Sequence, residues 1–389
     1  MDLLPLRTNI DFYEQRFLMF VLDQMAYEYE QDNKDVIRMT LGKSELPLHP
    51  QINAAMAEAI NDFSKSSKVF PAGLPELRNR LSEYYLEKYG VHIPSRHFII
   101  GSGTSSIFRN LFQLLLNHED EVLLPSPYYS LYNFSALLAG AKIRYYLIDE
   151  QSMSVDMSSF RANLTPRTKV VVINSPGNPL GNIITKEEML EIDTLVNGQA
   201  VIIHDEIYAN MSFDSQPISS VQLENTRSAF ITTNAFSKGH RMYARRVGYC
   251  IVPEQLIEPL TVIQHHTLLT LDPVVQYGAI AALDLHEEVE VLVGLYRDRR
   301  NYTVESFEPV PDVKVLHSNG GFYITLDCSS YIEKQGMADS LELATQIIES
   351  TYVAVVPGSD FGMPSSLRLS FSSSKYKEGI DRLVQYFIS

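Results

Sequence analysis

The sequence has no tryptophan and only two cysteines, Cys250 and Cys328, among its 389 residues. Two distant thiols cannot build a disulfide framework, and they leave no Cys-x-x-Cys spacing, so no metal is expected. Basic residues are also scarce. Lys and Arg number 32 against 47 Asp and Glu, a formal net charge of −15. That balance argues against nucleic acid or an anionic membrane surface as a partner. No apolar run reaches the ~18 residues that span a bilayer. Residues 1–7 lack a basic stretch leading into an apolar core, so no signal peptide is expected and a cytoplasmic protein is the expectation. Internal repeats and low-complexity tracts are missing too. What remains is a chain that is 45% apolar and 20% charged, long enough for two domains.

Residues 12–31 carry helical period, 36–41 read as a short strand, and 50–64 and 75–88 as helices. From residue 97 short β-branched runs alternate with helical stretches. Strands are expected at 98–100, 121–124, 142–147, 169–173, 200–204, 230–233 and 247–252, and helices at 105–116, 129–139, 186–197 and 254–266. Runs apolar on both faces fit strands covered on both sides. The expectation is an α/β fold whose large domain holds a mostly parallel seven-stranded sheet flanked by helices. Helical pattern continues from Pro273 through Ala282 and over 287–307. The tail then reads strand, strand, helix, strand, strand, helix at 313–316, 321–327, 341–350, 352–356, 367–370 and 377–387, a smaller α+β domain. The expected division is an N-terminal segment, 1–48, packing on the small domain; a large domain, 49–286; and the small domain, 287–389.

In such a sheet, ligands sit beyond the carboxyl ends of the strands, and every candidate chemical group follows a strand. Gly101-Ser-Gly103-Thr104-Ser105 opens a helix, whose N–H groups suit an anion. A plain Ser/Thr cap is the alternative, and the missing third glycine and missing Gly-Lys-Ser/Thr disfavour a dinucleotide fingerprint and a P-loop. Pro127-Tyr128-Tyr129 offers an aromatic to cover a flat ligand, or simply to pack a core. Asn174-Ser-Pro-Gly-Asn178-Pro-Leu-Gly181 is a rigid turn holding a second asparagine at a strand end. Asp205 ends an apolar strand, with Tyr208 three residues on. Its partner would be an arginine or the protonated ring nitrogen of a cofactor. Ser237-Lys238 lies in a turn between strands, followed by Arg241, Arg245 and Arg246. A solvated basic turn is one reading. The other is a desolvated amine of lowered pKa, ready to form a Schiff base, with Arg246 for a phosphate.

Together, in this order and at these intervals, the clusters make the chain resemble the fold-type I, class I/II aminotransferases, from about residue 36 to residue 368. The resemblance implies pyridoxal 5′-phosphate as cofactor, with L-α-amino acids and 2-oxo acids as substrates. It implies that Lys238 forms the Schiff base and carries the proton at Cα, and that Asp205 pairs with the ring nitrogen. Tyr208 and Asn178 would bond the ring hydroxyl, and Tyr129 would stack on the ring. Gly103, Thr104, Ser105, Ser237 and Arg246 would hold the phosphate. Arg368 would grip the substrate α-carboxylate, with Asn178 and Gly42 beside it. Family members are usually homodimers with active sites at the subunit interface.

The chain departs from the family pattern in places. Ala235 and Ala244 stand where Ser and Gly are frequent, Gly42-Lys43-Ser44 replaces a common Gly-Glu-Pro, and Lys68 stands where a tyrosine often reaches across the dimer. The altered loop and Lys68 keep open a lyase, cyclase or decarboxylase acting on a specialised amino acid. A non-catalytic binding role is a third reading. Tyr128, Tyr132, Lys43, Lys68, Phe322 and Phe361 are candidates to line the pocket, and Lys43, Lys68 and Arg241 to meet a second carboxylate.

Overall fold

A computed structural model describes residues 10–12 and 16–389. Residues 1–7, read above for a signal peptide, lie outside the described residues, as do 13–15 of the first expected helix. Among the described residues thirteen strands follow in chain order. β1 is Ile37–Arg38, β2 Phe98–Gly101, β3 Glu121–Ser126, β4 Lys142–Leu147, β5 Thr168–Asn174, β6 Val201–Asp205, β7 Phe230–Ala235 and β8 Gly248–Ile251. In the C-terminal part, β9 is Lys314–Leu316, β10 Tyr323–Asp327, β11 Val353–Ala354, β12 Val356–Pro357 and β13 Ser366–Ser370.

The seven strands β2 to β8 form one sheet in the order β2-β8-β7-β6-β5-β3-β4. Only β8 is reversed, antiparallel to β2 and to β7; the remaining pairs are parallel. The strands are apolar on both faces because both faces are covered. Val170 and Val172 of β5 join Ile107, Phe108 and Leu111 of the helix Gly103–Leu115 in one core. The alternate residues Val171 and Ile173 join Met189, Ile192 and Val196 of the helix Lys186–Val196 in another. Burying each such side chain contributes about 1.5–3 kcal/mol. The shared direction of β2, β3, β5, β6 and β7 brings their carboxyl ends to one edge of the sheet.

In the C-terminal part, a four-stranded antiparallel sheet, β12-β13-β10-β9, packs with the helices His286–Phe307, Ser340–Thr351 and Tyr376–Ile388. Leu22, Ala26, Ile37 and Met39 of the N-terminal segment share that core, and β1 pairs in parallel with β11.

Several boundaries differ from expectation. The first helix begins at Met19, where the buried Asp360 carboxylate accepts the backbone N–H of Leu18 at 2.7 Å and of Met19 at 2.8 Å. A residue distant in sequence thus supplies the cap that Leu18 lacks. The 50–64 helix breaks at Asp62, which is extended and caps a second short helix, Phe63–Ser66. The 352–356 run divides because β11 pairs with β1 while β12 pairs with β13. Two helices, Met157–Asn163 and Ser329–Gln335, are too short for their period to register in the sequence.

Candidate active site

The ends of the parallel strands meet the C-terminal sheet at a cleft. It holds about 540 Å³ of space free of protein atoms, part of it open to solvent. Lys238 reaches it from the loop after β7. Phe236 N–H donates to the Val247 carbonyl at 3.0 Å and Met242 N–H to the Phe236 carbonyl at 3.0 Å, and both side chains are buried, so the loop is pinned at its base. The Lys238 Nζ donates to the Gly42 carbonyl at 2.9 Å and stands 3.5 Å from the Tyr323 hydroxyl. Aromatic rings surround it: Phe322 at 5.2 Å and Tyr208 and Tyr243 at 5.7 Å. Burial holds the amine below the ordinary lysine range, opposed by Tyr323 and reinforced by Arg368 and Arg246. Of the four basic residues in this turn, only Arg245 has the solvent exposure of the plainer reading; Arg241 pairs with Glu288 at 2.8 Å.

Asp205 ends β6 and is buried. One carboxylate oxygen accepts the Tyr132 hydroxyl at 2.7 Å; the other accepts the Ile207 N–H and the Thr233 hydroxyl, both at 3.2 Å. No lysine or arginine bonds it among the described residues. Burial pushes its pKa up to about 6, against the pull of those donors. The folded cofactor-free protein therefore binds a proton here that the unfolded chain has released. This contribution to stability is full below the unfolded-state pKa near 4 and is lost as pH rises through about 6. The expected loss is on the order of 2–3 kcal/mol. Denaturant midpoints between pH 4 and pH 7 should show it, and Asp205→Asn should flatten the dependence.

The start of the helix Gly103–Leu115 carries no side-chain cap; Ser102, in the capping position, makes no such bond. Its first N–H groups are left open. Gly103 sits at φ +70, and a Cβ there would strike the Arg246 guanidinium. Gly248 likewise has no room for a side chain against the backbone of Gly103 and Thr104. Thr104, Ser105, Ser237 and Arg246 all line the cleft at this end. The Arg246 Nη1 donates to the Tyr243 carbonyl at 3.2 Å. Open N–H groups, three hydroxyl side chains and a guanidinium make a cradle that fits a phosphate.

At the other end, Arg368 of β13 is buried between two rings, its guanidinium carbon 3.9 Å from the centroid of Tyr323 and 4.5 Å from that of Phe361. Its Nη1 donates to Asn178 Oδ1 at 3.1 Å and its Nη2 to the Thr40 carbonyl at 2.9 Å; its Nε has no protein partner. Asn178 is itself held by a bond from its N–H to Asn174 Oδ1 at 2.9 Å. A Cβ on Gly42 would strike both the Tyr323 hydroxyl and the Lys238 Nζ. Tyr129 and Tyr208 line the wall between, and burial pushes the Tyr129 hydroxyl up to about 12.

Thr104, Ser105, Tyr129, Asn178, Asp205, Tyr208, Ser237, Lys238 and Arg246 thus line one cleft, and Gly42, Gly103 and Arg368 lie directly against Lys238, Arg246 and Asn178 respectively. The structure does not gather every residue considered as a pocket wall. Lys43 is exposed, and Lys68 bonds Glu76 and, at 2.9 Å, the Tyr277 hydroxyl of its own chain. Tyr128 stacks on Tyr145 at 5.2 Å. Tyr132 does enter the site, as the donor to Asp205. Tyr243 and Tyr323 join it although nothing in their local sequence marks them.

Comparison with known proteins gives the family and the fold. Residues 34–387 match the family described as aminotransferase class I and II. An asparagine–oxo-acid transaminase of Streptococcus mutans is 30% identical over 358 residues, covering 90% of this chain and 91% of that protein. A probable aspartate/prephenate aminotransferase of Aquifex aeolicus is 31% identical over 367 residues, covering 92% of each. The crystal structure of an aspartate aminotransferase from Thermotoga maritima superposes with a TM-score of 0.88 at 27% identity, covering 99% of this chain and 100% of that one. With the family matched over most of its length and a cleft of this composition, the chain belongs to the class I and II aminotransferases.

Proposed function

We propose that this aminotransferase uses pyridoxal 5′-phosphate, held at Lys238, to pass an amino group from an L-α-amino acid to a 2-oxo acid. When bound, the cofactor supplies an electron sink for the charge left on Cα as its proton departs. The remaining work belongs to the chain. The start of the helix at Gly103, with Thr104, Ser105, Ser237 and Arg246, anchors the phosphate. Asp205, its carboxylate aimed by Tyr132 and Thr233, would face the ring nitrogen and keep it protonated. Tyr208 and Asn178 would meet the ring hydroxyl, and Tyr129 would cover a ring face. Lys238, its amine pKa lowered chiefly by burial, would hold the cofactor by its aldehyde carbon and move the Cα proton. Arg368 receives the α-carboxylate with the donors its neighbours leave, the unpaired Nε among them, and Gly42, having no Cβ, lets the Lys238 amine and the Tyr323 hydroxyl come close.

The observation that carries this reading is the placement of one desolvated amine between an open anion cradle and a ring-clamped arginine. Borohydride reduction of the protein loaded with pyridoxal phosphate, followed by peptide mapping, should find the cofactor mass on Lys238. Its attachment to another lysine would contradict the assignment. The relatives are named for asparagine and aspartate, which makes these two the first donors to test.

The working unit in this reading is a homodimer. Ile60, Phe63, Val69, Phe70, Val262 and Leu269 are exposed apolar side chains on nearby segments, with Phe70 bonded to Thr270 through both its N–H and its carbonyl. A second copy of the chain is the partner that would cover them. The division at residues 48 and 286 is kept as the domain assignment. A cytoplasmic location is kept too, supported by two buried, unpaired cysteines.

A further inference from the structure

Tyr323 opens β10, which lies antiparallel beside β13 with Thr325 directly opposite Arg368. Side chains two apart on a strand share a face, so Tyr323 is the diagonal neighbour of Arg368 on the face of the sheet that looks into the cleft. Thr325, on the same face, donates its hydroxyl to the Pro179 carbonyl at 3.1 Å, tying this sheet to the turn that carries Asn178. The register brings the Tyr323 ring over the guanidinium, 3.9 Å from centroid to carbon, and carries its hydroxyl to 3.5 Å from Lys238 Nζ. The ring meets Tyr208 edge-on at 6.0 Å. One side chain therefore touches both the arginine that faces the carboxylate and the amine that does the chemistry.

We propose that Tyr323 is a positioning residue with two separable tasks: its ring fixes the plane of Arg368 for the substrate carboxylate, and its hydroxyl orients the Lys238 amine. This rests on Lys238 being the reacting amine. The groups facing Tyr323 are Lys238, Arg368, Tyr208, Tyr129 and Tyr296. Burial alone would raise its hydroxyl pKa, but Lys238, Arg368 and a hydrogen bond with Tyr208 together hold it below the ordinary tyrosine value. In return the hydroxyl favours the protonated amine of Lys238. Removing it should make Lys238 easier to deprotonate, and also leave it less well aimed.

Two substitutions separate the tasks. Tyr323→Phe keeps the ring and should leave KM for the amino acid within about twofold while lowering kcat roughly tenfold, the value of one hydrogen bond to a charged group. In the cofactor-free Tyr323→Phe protein, the rate of pyridoxal phosphate attachment should rise with pH around a midpoint at least about half a unit below that of the unsubstituted protein. Tyr323→Leu removes the ring as well and should raise KM by about 3–30-fold, the worth of a buried cation–π contact. An unchanged attachment midpoint and kcat in Tyr323→Phe would overturn the orienting task, and an unchanged KM in Tyr323→Leu the bracing task. If the cofactor does not attach to Lys238 in the unsubstituted protein, the reading beneath the proposal fails instead, and the mapping experiment shows that separately.

Discussion

Lys238→Ala is expected to lower the rate of amino transfer by ~10⁴-fold or more, the upper range for a lost proton carrier, with the nucleophile lost as well. Stability should not fall with activity. The amine is desolvated, and among the described residues its Nζ has only the Gly42 carbonyl and the Tyr323 hydroxyl as hydrogen-bond partners, so its removal relieves an unfavourable burial. The thermal midpoint of the cofactor-free variant should match or exceed that of the unsubstituted protein. Lys238→Arg should be as inactive as Lys238→Ala, because a guanidinium stays protonated and is no nucleophile. Initial rates with a saturating donor and a 2-oxo acid, set beside melting curves, check both points. Activity above about one part in a hundred in either variant would be incompatible with a reacting Lys238.

The second large effect is expected at Arg368. Two aromatic rings hold its plane, Asn178 and Thr40 take one donor from each terminal nitrogen, and the Nε is buried without a partner. The Nη2 also meets the Met19 sulfur at 3.9 Å, which leaves the Nε as the wholly unpaired donor for a ligand. A carboxylate docked there exchanges its water for charge-assisted bonds to a group already in place. Truncating a buried charged partner costs about 2–5 kcal/mol, so Arg368→Ala should lower kcat/KM by on the order of 10²–10³-fold. Most of the loss should appear in KM for both the amino acid and the 2-oxo acid, since both carry the same carboxylate. Arg368→Lys should recover little, because an ammonium cannot fill the slot between the rings or keep the bonds to Asn178 and Thr40 together. Steady-state kinetics in both directions measures this. An Arg368→Ala enzyme whose KM values stay within about threefold of the original would remove Arg368 from the carboxylate site.

How much of this was legible in the sequence depends on where each signal lies. The strands of the large sheet are short runs of β-branched residues with clear turns between them, and their period is visible locally; β5 and β6 fall within a residue or two of expectation. The cofactor-side residues follow strands in a fixed order, so Gly103, Asp205, Lys238 and Arg246 can be marked from the chain alone. Three things cannot. The donors to Asp205 come from a helix begun 75 residues earlier and from a neighbouring strand, a juxtaposition made by the parallel order of the sheet. Tyr323 reaches the site through the β10–β13 register, which no local pattern encodes. The start of the first helix is set by Asp360, over 300 residues away. Lys68 shows the converse: its sequence position makes it a candidate to meet a second carboxylate, while within its own chain its charge is taken up by Glu76 and Tyr277.

The central claim is that the cleft carries out amino transfer and not another reaction of the same bound amino acid. The most direct test is a single turnover, with the cofactor-loaded protein mixed with one donor and no acceptor. The account predicts one 2-oxo acid formed per bound cofactor, the cofactor recovered in its amine form, and its return to the aldehyde form when a second 2-oxo acid is added. Ammonia, carbon dioxide or a cyclised product in place of that stoichiometry, with the cofactor still in its aldehyde form, would contradict it.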